Sequence, residues 1–283
     1  MGNCLVTKLK GVVNNDGLVH FGSIQYTTTA ANEELTIKCD ESIRVIAKDG
    51  KTFTINSVQY TNYTQEAFSN VVYNIPVQGT VIEITNTLNI NTIISNSLKS
   101  SDIQYMLSLT GVTFKQGGSL NELSLLSNLK TLNAETSSIS GEISILGTLT
   151  SLKDIYLGRT SVSGNISDVV QPTLKILSIA NSAVTGTVES FITALQNNNI
   201  TNTIYFTVYN TNVTANGYTI SSEQMRYLNY ESNSKYTLRS SETLAASTTL
   251  GVYGYSMSEI ETWQAAGKRV WDISTNTWYE PTN

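Results

Sequence analysis

The chain has 283 residues, 40 % of them hydrophobic and only 14 % charged, with a formal net charge of −5. That length allows two or three modules of roughly 100–150 residues each. Neither sign of charge forms a long run and no basic face is visible, which excludes nucleic acid as a partner, and no apolar stretch approaches the ~18 residues of a membrane span. With so few charges, Asn, Thr and Ser must supply most of the polar surface. The abundance of Thr, Val, Ile and Tyr favours strands, because branched and aromatic side chains suit a pleated surface.

The opening Met1–Lys10 lacks the apolar core of a secretory signal. Gly2 starts a myristoylation pattern that Val6 breaks, since Ser or Thr belongs there. With residue 1 as the native start, the expectation is folding in a cytoplasm. Cys4 and Cys39 are too few for a disulfide scaffold. They pair if the N-terminal strand lies beside the Cys39 strand; otherwise they are partly buried free thiols, the state that free cysteine favours.

The first ~90 residues read as short strands between turns. Leu5–Leu9, Leu35–Cys39, Ile43–Val45, Phe53–Ile55, Val58–Tyr60 and Val81–Ile84 carry the strand signal, and Asn14-Asn15-Asp16-Gly17 is a turn. Asp49-Gly50 between Ile43–Ala47 and Phe53–Ile55 reads as a hairpin connection. Strands at this spacing predict an antiparallel sandwich or small barrel.

From about residue 100 the sequence repeats. Leu129-Lys-Thr-Leu132, Leu152-Lys-Asp-Ile155 and Leu174-Lys-Ile-Leu177 begin at 129, 152 and 174, steps of 23 and 22. Each is followed by matched columns: Ser137, Thr160 and Ser182; Ile139, Val162 and Val184; Gly141, Gly164 and Gly186; Ile143, Ile166 and Val188. The period and the Leu-x-x-Leu start are those of leucine-rich repeats. One coil cannot bury its apolar edge, but stacked coils share a continuous core. Ser or Thr stands where such repeats carry asparagine, so hydroxyls or backbone must take over its hydrogen bonds, and the Gly column turns the chain. Fainter coils start near Leu107–Phe114 and Phe206–Val213, and the insertion holding Phe191, Ile192 and Leu195 reads as a short helix. Beyond it, Ser256-Met257-Ser258-Glu259 is a capping box and Gly267 a stop signal for a helix through Ile260 and Trp263. Val270–Ile273 and Thr277–Tyr279 form a small hairpin, with Trp263, Trp271 and Trp278 as anchors.

The expected fold is therefore mainly β: an antiparallel β-sandwich-like module at 1–95, a short leucine-rich-repeat solenoid at 96–218 and a small α+β module at 219–283.

Signals of chemistry are weak. His20 is the single histidine and lacks a nucleophile elbow or matching acid. No spacing of His, Cys, Asp or Glu suits a metal, and Gly117-Gly118 falls short of a phosphate loop. The acid pairs Glu33-Glu34 and Asp40-Glu41 are adjacent, so strand geometry sends the two members to opposite faces, not to one glycosidase site. The expectation is a non-enzymatic protein without cofactor or metal; a carbohydrate-active enzyme with carboxylates across a groove is the remaining catalytic alternative. The tyrosines are denser than any catalytic motif. Tyr205, Tyr209, Tyr218, Tyr227 and Tyr230, with Tyr236, follow the main repeats, and tyrosine brings contact area at low entropic cost. They are candidate partner-binding residues, or else packing for a β-rich module.

Residues 1–16, Met-Gly-Asn-Cys-Leu-Val-Thr-Lys-Leu-Lys-Gly-Val-Val-Asn-Asn-Asp, resemble the shared N-terminus of small virion proteins in tailed phages of Bacteroides, including crAss-like phages. Gly254-Tyr-Ser-Met-Ser-Glu-Ile-x-x-Trp-x-x-Ala-Gly-Lys268 resembles short terminal modules of the same group. The two matches cover about a ninth of the chain. The resemblance implies a capsid head fibre or tail fibre, assembled in the host bacterial cytoplasm and located on the virion. Its N-terminal module would dock on other virion proteins through Leu5, Val6, Leu9, Val12 and Val13. It further implies a dimer or trimer, with the repeats attaching to a host glycan or surface protein. A bacterial surface adhesin with leucine-rich repeats is the alternative, and it requires an export signal.

Overall fold

The computed structural model describes residues 12–13, 19–20, 22–200, 204–207, 211–214, 228–229, 249–252, 257–272 and 277–282. The chain is mainly β and divides into two compact units, residues 1–139 and 140–283.

In the first unit β1 (Val12–Val13) pairs with β2 (Val19–His20). The strands that follow are β3 (Ser23–Thr27), β4 (Glu33–Cys39), β5 (Ile43–Ala47), β6 (Phe53–Ile55), β7 (Val58–Tyr60), β8 (Asn62–Gln65), β9 (Asn70–Ile75), β10 (Val81–Thr85) and β11 (Ile90–Ser95). A short helix, α1 (Ser100–Ile103), precedes β12 (Gly111–Phe114), β13 (Gly118–Ser119) and β14 (Thr131–Asn133). One antiparallel sheet has the order β3-β10-β5-β8; in the other the order runs β14-β12-β11-β4-β9-β6-β7. The two meet through their buried faces. Gln65 of β8 donates to the Ile37 carbonyl of β4 at 3.0 Å and accepts from the Tyr73 hydroxyl of β9 at 2.7 Å. Tyr73 also stacks edge-on against Phe53 and Tyr63. Alternation explains the burial: β4 hides Glu33, Leu35, Ile37 and Cys39, and between them Glu34 and Lys38 are exposed and Thr36 is half-buried.

The Asp49-Gly50 hairpin does not form. Both residues take left-handed angles, φ 56° and 68°, so the turn is there, but β5 and β6 belong to different sheets. The edges of β5 are taken by β10 and β8, so the chain crosses over and β6 pairs with β7 instead. The hairpin that does form turns at Asn56 and Ser57, φ 49° and 66°, the left-handed pair of a two-residue turn.

β11 joins the two sequence patterns. It runs antiparallel to β4 on one side and parallel to β12 on the other, so the antiparallel strands and the first coils share hydrogen bonds. An array of coils needs its apolar end covered, and in this unit β4 and β9 extend the sheet beyond the first coil.

The second unit holds β15 (Ile139–Glu142), which begins at the last residue of the first, then α2 (Ser144–Gly147), β16 (Asp154–Tyr156), β17 (Ser161–Asn165), β18 (Ile176–Ser178) and β19 (Ala183–Thr187). Helix α3 (Val188–Asn197) occupies the insertion, followed by β20 (Ile204–Thr207), β21 (Asn212–Thr214) and β22 (Leu228–Asn229). β16, β18, β20 and β22 pair in parallel, as do β15, β17, β19 and β21, so each coil contributes one strand to each sheet. Ile155, Leu177 and Phe206 sit in register and are buried, which is the apolar ladder that the matched columns require.

Hydroxyls do carry the turn. Thr160 Oγ1 donates to the Leu157 carbonyl at 2.6 Å and Ser182 Oγ to the Ile179 carbonyl at 2.7 Å. The residue just before each hydroxyl, Thr136, Arg159 and Asn181, is left-handed in all three repeats, φ 55–63°. Thr160→Val keeps the shape and deletes the donor; a loss of about 1 kcal/mol in urea unfolding is expected, the net worth of one hydrogen bond.

The C-terminal residues form a parallel pair, β23 (Thr249–Val252) with β24 (Arg269–Asp272), joined by α4 (Met257–Ala265), and β25 (Thr277–Tyr279) adds antiparallel to β24. Gly267 follows the helix at φ 74°. Ile260 and Val270 form the small core here, with Trp263 and Tyr279 packed against it.

Candidate interaction surface

Pleating sends the residues between the buried positions outward, and register aligns them in rows. In the first unit one row reads Val72–Thr36–Ile94–Thr113–Asn133 and the next Asn70–Lys38–Thr92–Gly111–Thr131. Val72 is 40 % exposed and Ile94 39 %, with Thr36 between them. Two branched apolar side chains thus stand part-open on this sheet face in a field of Thr and Asn. Lys38 and Glu34 bring one charge of each sign to this face, so a partner meets little net field.

At the end of β4 the turn after β8 places Phe68 in the open, 78 % exposed at φ 59°. Its N–H is held by the Cys39 carbonyl at 2.8 Å. A left-handed angle is costly for a bulky side chain. The Cys39 thiol is free and buried, donating to the Glu66 carbonyl at 3.5 Å, and burial pushes its pKa up, away from the thiolate form.

In the second unit the outward residues are Asp154–Ile176, in register with Tyr205, and Tyr156–Ser178, in register with Thr207. On the neighbouring sheet Ser163 Oγ donates to Glu142 Oε1 at 2.8 Å, so polar side chains there satisfy one another.

Tyr205 thus lies on a repeat strand, in β20. Tyr209, Tyr218, Tyr227 and Tyr230 lie outside the described residues, as do Leu5, Val6, Leu9 and Cys4. Val12 and Val13 form β1, opposite His20 and Val19. Glu33 and Glu34 do face opposite ways: Glu34 is exposed, whereas Glu33 is buried and accepts from Ser95 Oγ at 2.5 Å, from Ser97 N–H at 3.1 Å and from Ser97 Oγ. Its carboxylate is consumed by structure. Among the described residues no three His, Cys, Asp or Glu gather as metal ligands, and no helix is long and apolar enough to cross a membrane.

Val72, Ile94 and Phe68 escaped the reading of the sequence. The doublets Val71-Val72 and Ile93-Ile94 carried the signal: in a two-residue period, neighbours of one kind cannot both face inward.

No family model matches the sequence, and no curated protein resembles it closely enough to count as a relative. Among solved structures, the leucine-rich-repeat ectodomain of the Arabidopsis thaliana receptor kinase GASSHO1/SCHENGEN3, in complex with CASPARIAN STRIP INTEGRITY FACTOR 2, is similar over 44 % of this chain and 15 % of its own, at 20 % identity and a TM-score of 0.34. The ectodomain of the Arabidopsis thaliana receptor kinase SOBIR1 is similar over 36 % of this chain and 65 % of its own, at 19 % identity and 0.29. A plant ice-binding protein is similar over 55 % and 48 %, at 14 % identity and 0.34. The chain spans less than two thirds of each. At these scores the likenesses carry no functional argument; the leucine-rich repeat rests on the coils themselves.

Proposed function

We propose that the protein is a non-enzymatic attachment protein that offers the outer face of its repeat-bearing sheet to a partner, and that it does so as a head or tail fibre of a phage virion. The observation that carries the attachment reading is the row Val72–Thr36–Ile94, in which two branched apolar side chains stand exposed on either side of a threonine. Backbone hydrogen bonds hold that row in place before any partner arrives, so little ordering entropy opposes binding. The virion reading is supported by the resemblance of residues 1–16 and 254–268 to phage structural proteins, and it carries with it assembly in a bacterial cytoplasm, virion partners and a homo-oligomer.

The attachment reading is tested with labelled full-length protein on Bacteroides cells. Val72→Lys and Ile94→Lys change exposed positions, so folding is expected to hold within about 0.5 kcal/mol. Cell binding is expected to fall roughly tenfold or more, the cost of losing a central contact. Unchanged binding by both variants removes this face from the account.

A further inference from the structure

We propose that the cleft between β3 and the α1 turn, in the first unit, binds a single neutral sugar ring or a similar polyol. The cleft has a volume of about 230 Å3 and is lined by Gln25, Ser101, Asp102, Gln104, Tyr105 and Met106, among others. It shares no lining residue with the outer rows, so it stands independently of the attachment face.

Size sets the first limit. Drug-sized ligands occupy pockets from roughly 300 Å3 upward. At about 230 Å3 this cleft falls below that range, which suits a ligand as small as one six-membered ring.

Chemistry sets the second. Gln25 and Gln104 bring amides that both donate and accept, Ser101 a hydroxyl, and Asp102 a carboxylate. One Asp102 oxygen, Oδ2, is held by the Lys99 N–H at 2.9 Å, and the other remains an acceptor for ligand hydroxyls. The Gln104 amide is steadied by donating to the Ser101 carbonyl at 3.0 Å, which leaves its oxygen for a ligand. Buried Met106 and half-buried Tyr105 supply an apolar floor. Hydroxyls around a ring edge and C–H groups on its face match that division, as apolar lining with a few placed polar groups matches small ligands generally.

Charge sets the third. Among the described residues that line the cleft, Asp102 is the only charged one, and Lys99 and Glu122 nearby bring one charge of each sign, so a phosphate or a carboxylated sugar would meet a net negative site. Burial pushes the Asp102 carboxyl above its ordinary range, and a donating hydroxyl would replace the solvation that it has lost.

The test is ligand-observed NMR on the full chain with a panel of neutral methyl glycosides, N-acetylneuraminic acid and inorganic phosphate. At least one neutral glycoside is expected to bind with a dissociation constant on the order of 1 mM, and the two anions not at all. Gln104→Ala and Tyr105→Ala are expected to weaken binding at least fivefold with an unchanged circular dichroism spectrum. Should either variant unfold, Asp102→Asn, which keeps an acceptor for the Lys99 N–H, is read in its place against the same fivefold threshold. Absence of binding by every neutral glycoside, preference for an anion, or binding indifferent to the folded variants overturns the assignment.

Discussion

Glu33→Ala is expected to destabilise the first unit by roughly 3 kcal/mol, while Glu34→Ala, one residue on, stays within about 0.5 kcal/mol. Glu33 is 4 % exposed and bridges the start of β4 to the end of β11 through Ser95 and Ser97. The Ser97 hydroxyl in turn accepts from the Thr29 N–H at 2.7 Å. Alanine would remove the acceptor shared by the Ser95 hydroxyl, the Ser97 hydroxyl and the Ser97 N–H, leaving these buried donors only their weaker contacts with one another and with Thr29. A buried group that loses its partner costs about 1–3 kcal/mol. The loss is local, so native-state hydrogen exchange at the β4 and β11 amides is the measurement of choice. Equal protection in the two variants would mean that the carboxylate does not pin this seam.

Gly147→Ala is expected to cost about 2–3 kcal/mol in the second unit, the range of overpacking in a closed interior. Gly147 ends α2 where the helix presses on the turn Ile166–Val169, and an added Cβ would overlap the Asp168 carbonyl oxygen, which is backbone and cannot rotate away. Gly79 makes the contrast. It is left-handed at φ 75° with open space around it, so Gly79→Ala carries only the conformational cost of about 1 kcal/mol. Urea unfolding followed by circular dichroism ranks the two. A smaller loss for Gly147→Ala than for Gly79→Ala would mean that α2 can shift away from the next coil.

The repeats were legible because every coil solves the same problem. Ile155, Leu177 and Phe206 must stack in one core, so the columns recur at nearly fixed distance and even the faint coil at Phe206 forms its strand. The open face was not, because its residues answer to no packing constraint. Val72 and Ile94 look like core residues until register decides which member of each doublet turns inward. Turn residues raised a different limit: Asp49 and Gly50 fix a local left-handed bend but cannot say which sheet the next strand joins. Strand parity correctly separates Glu33 from Glu34, yet the hydroxyls that make burial of Glu33 tolerable come from Ser95 and Ser97, more than sixty residues on. Of the tyrosines, Tyr205 falls on a repeat strand in register with Ile176, and its position follows from the repeat spacing.

The surface and the proposed virion role meet in one requirement: the protein must be carried on the outside of an assembled particle, with the Val72–Ile94 row free to touch a cell. The direct measurement is immunogold electron microscopy of intact phage particles that encode this chain, using antibodies raised against the full-length protein. Gold on the capsid surface or tail of the particles is the predicted result. Unlabelled particles, with the protein instead on the bacterial envelope, would contradict the virion reading and leave an adhesin as the bearer of this face.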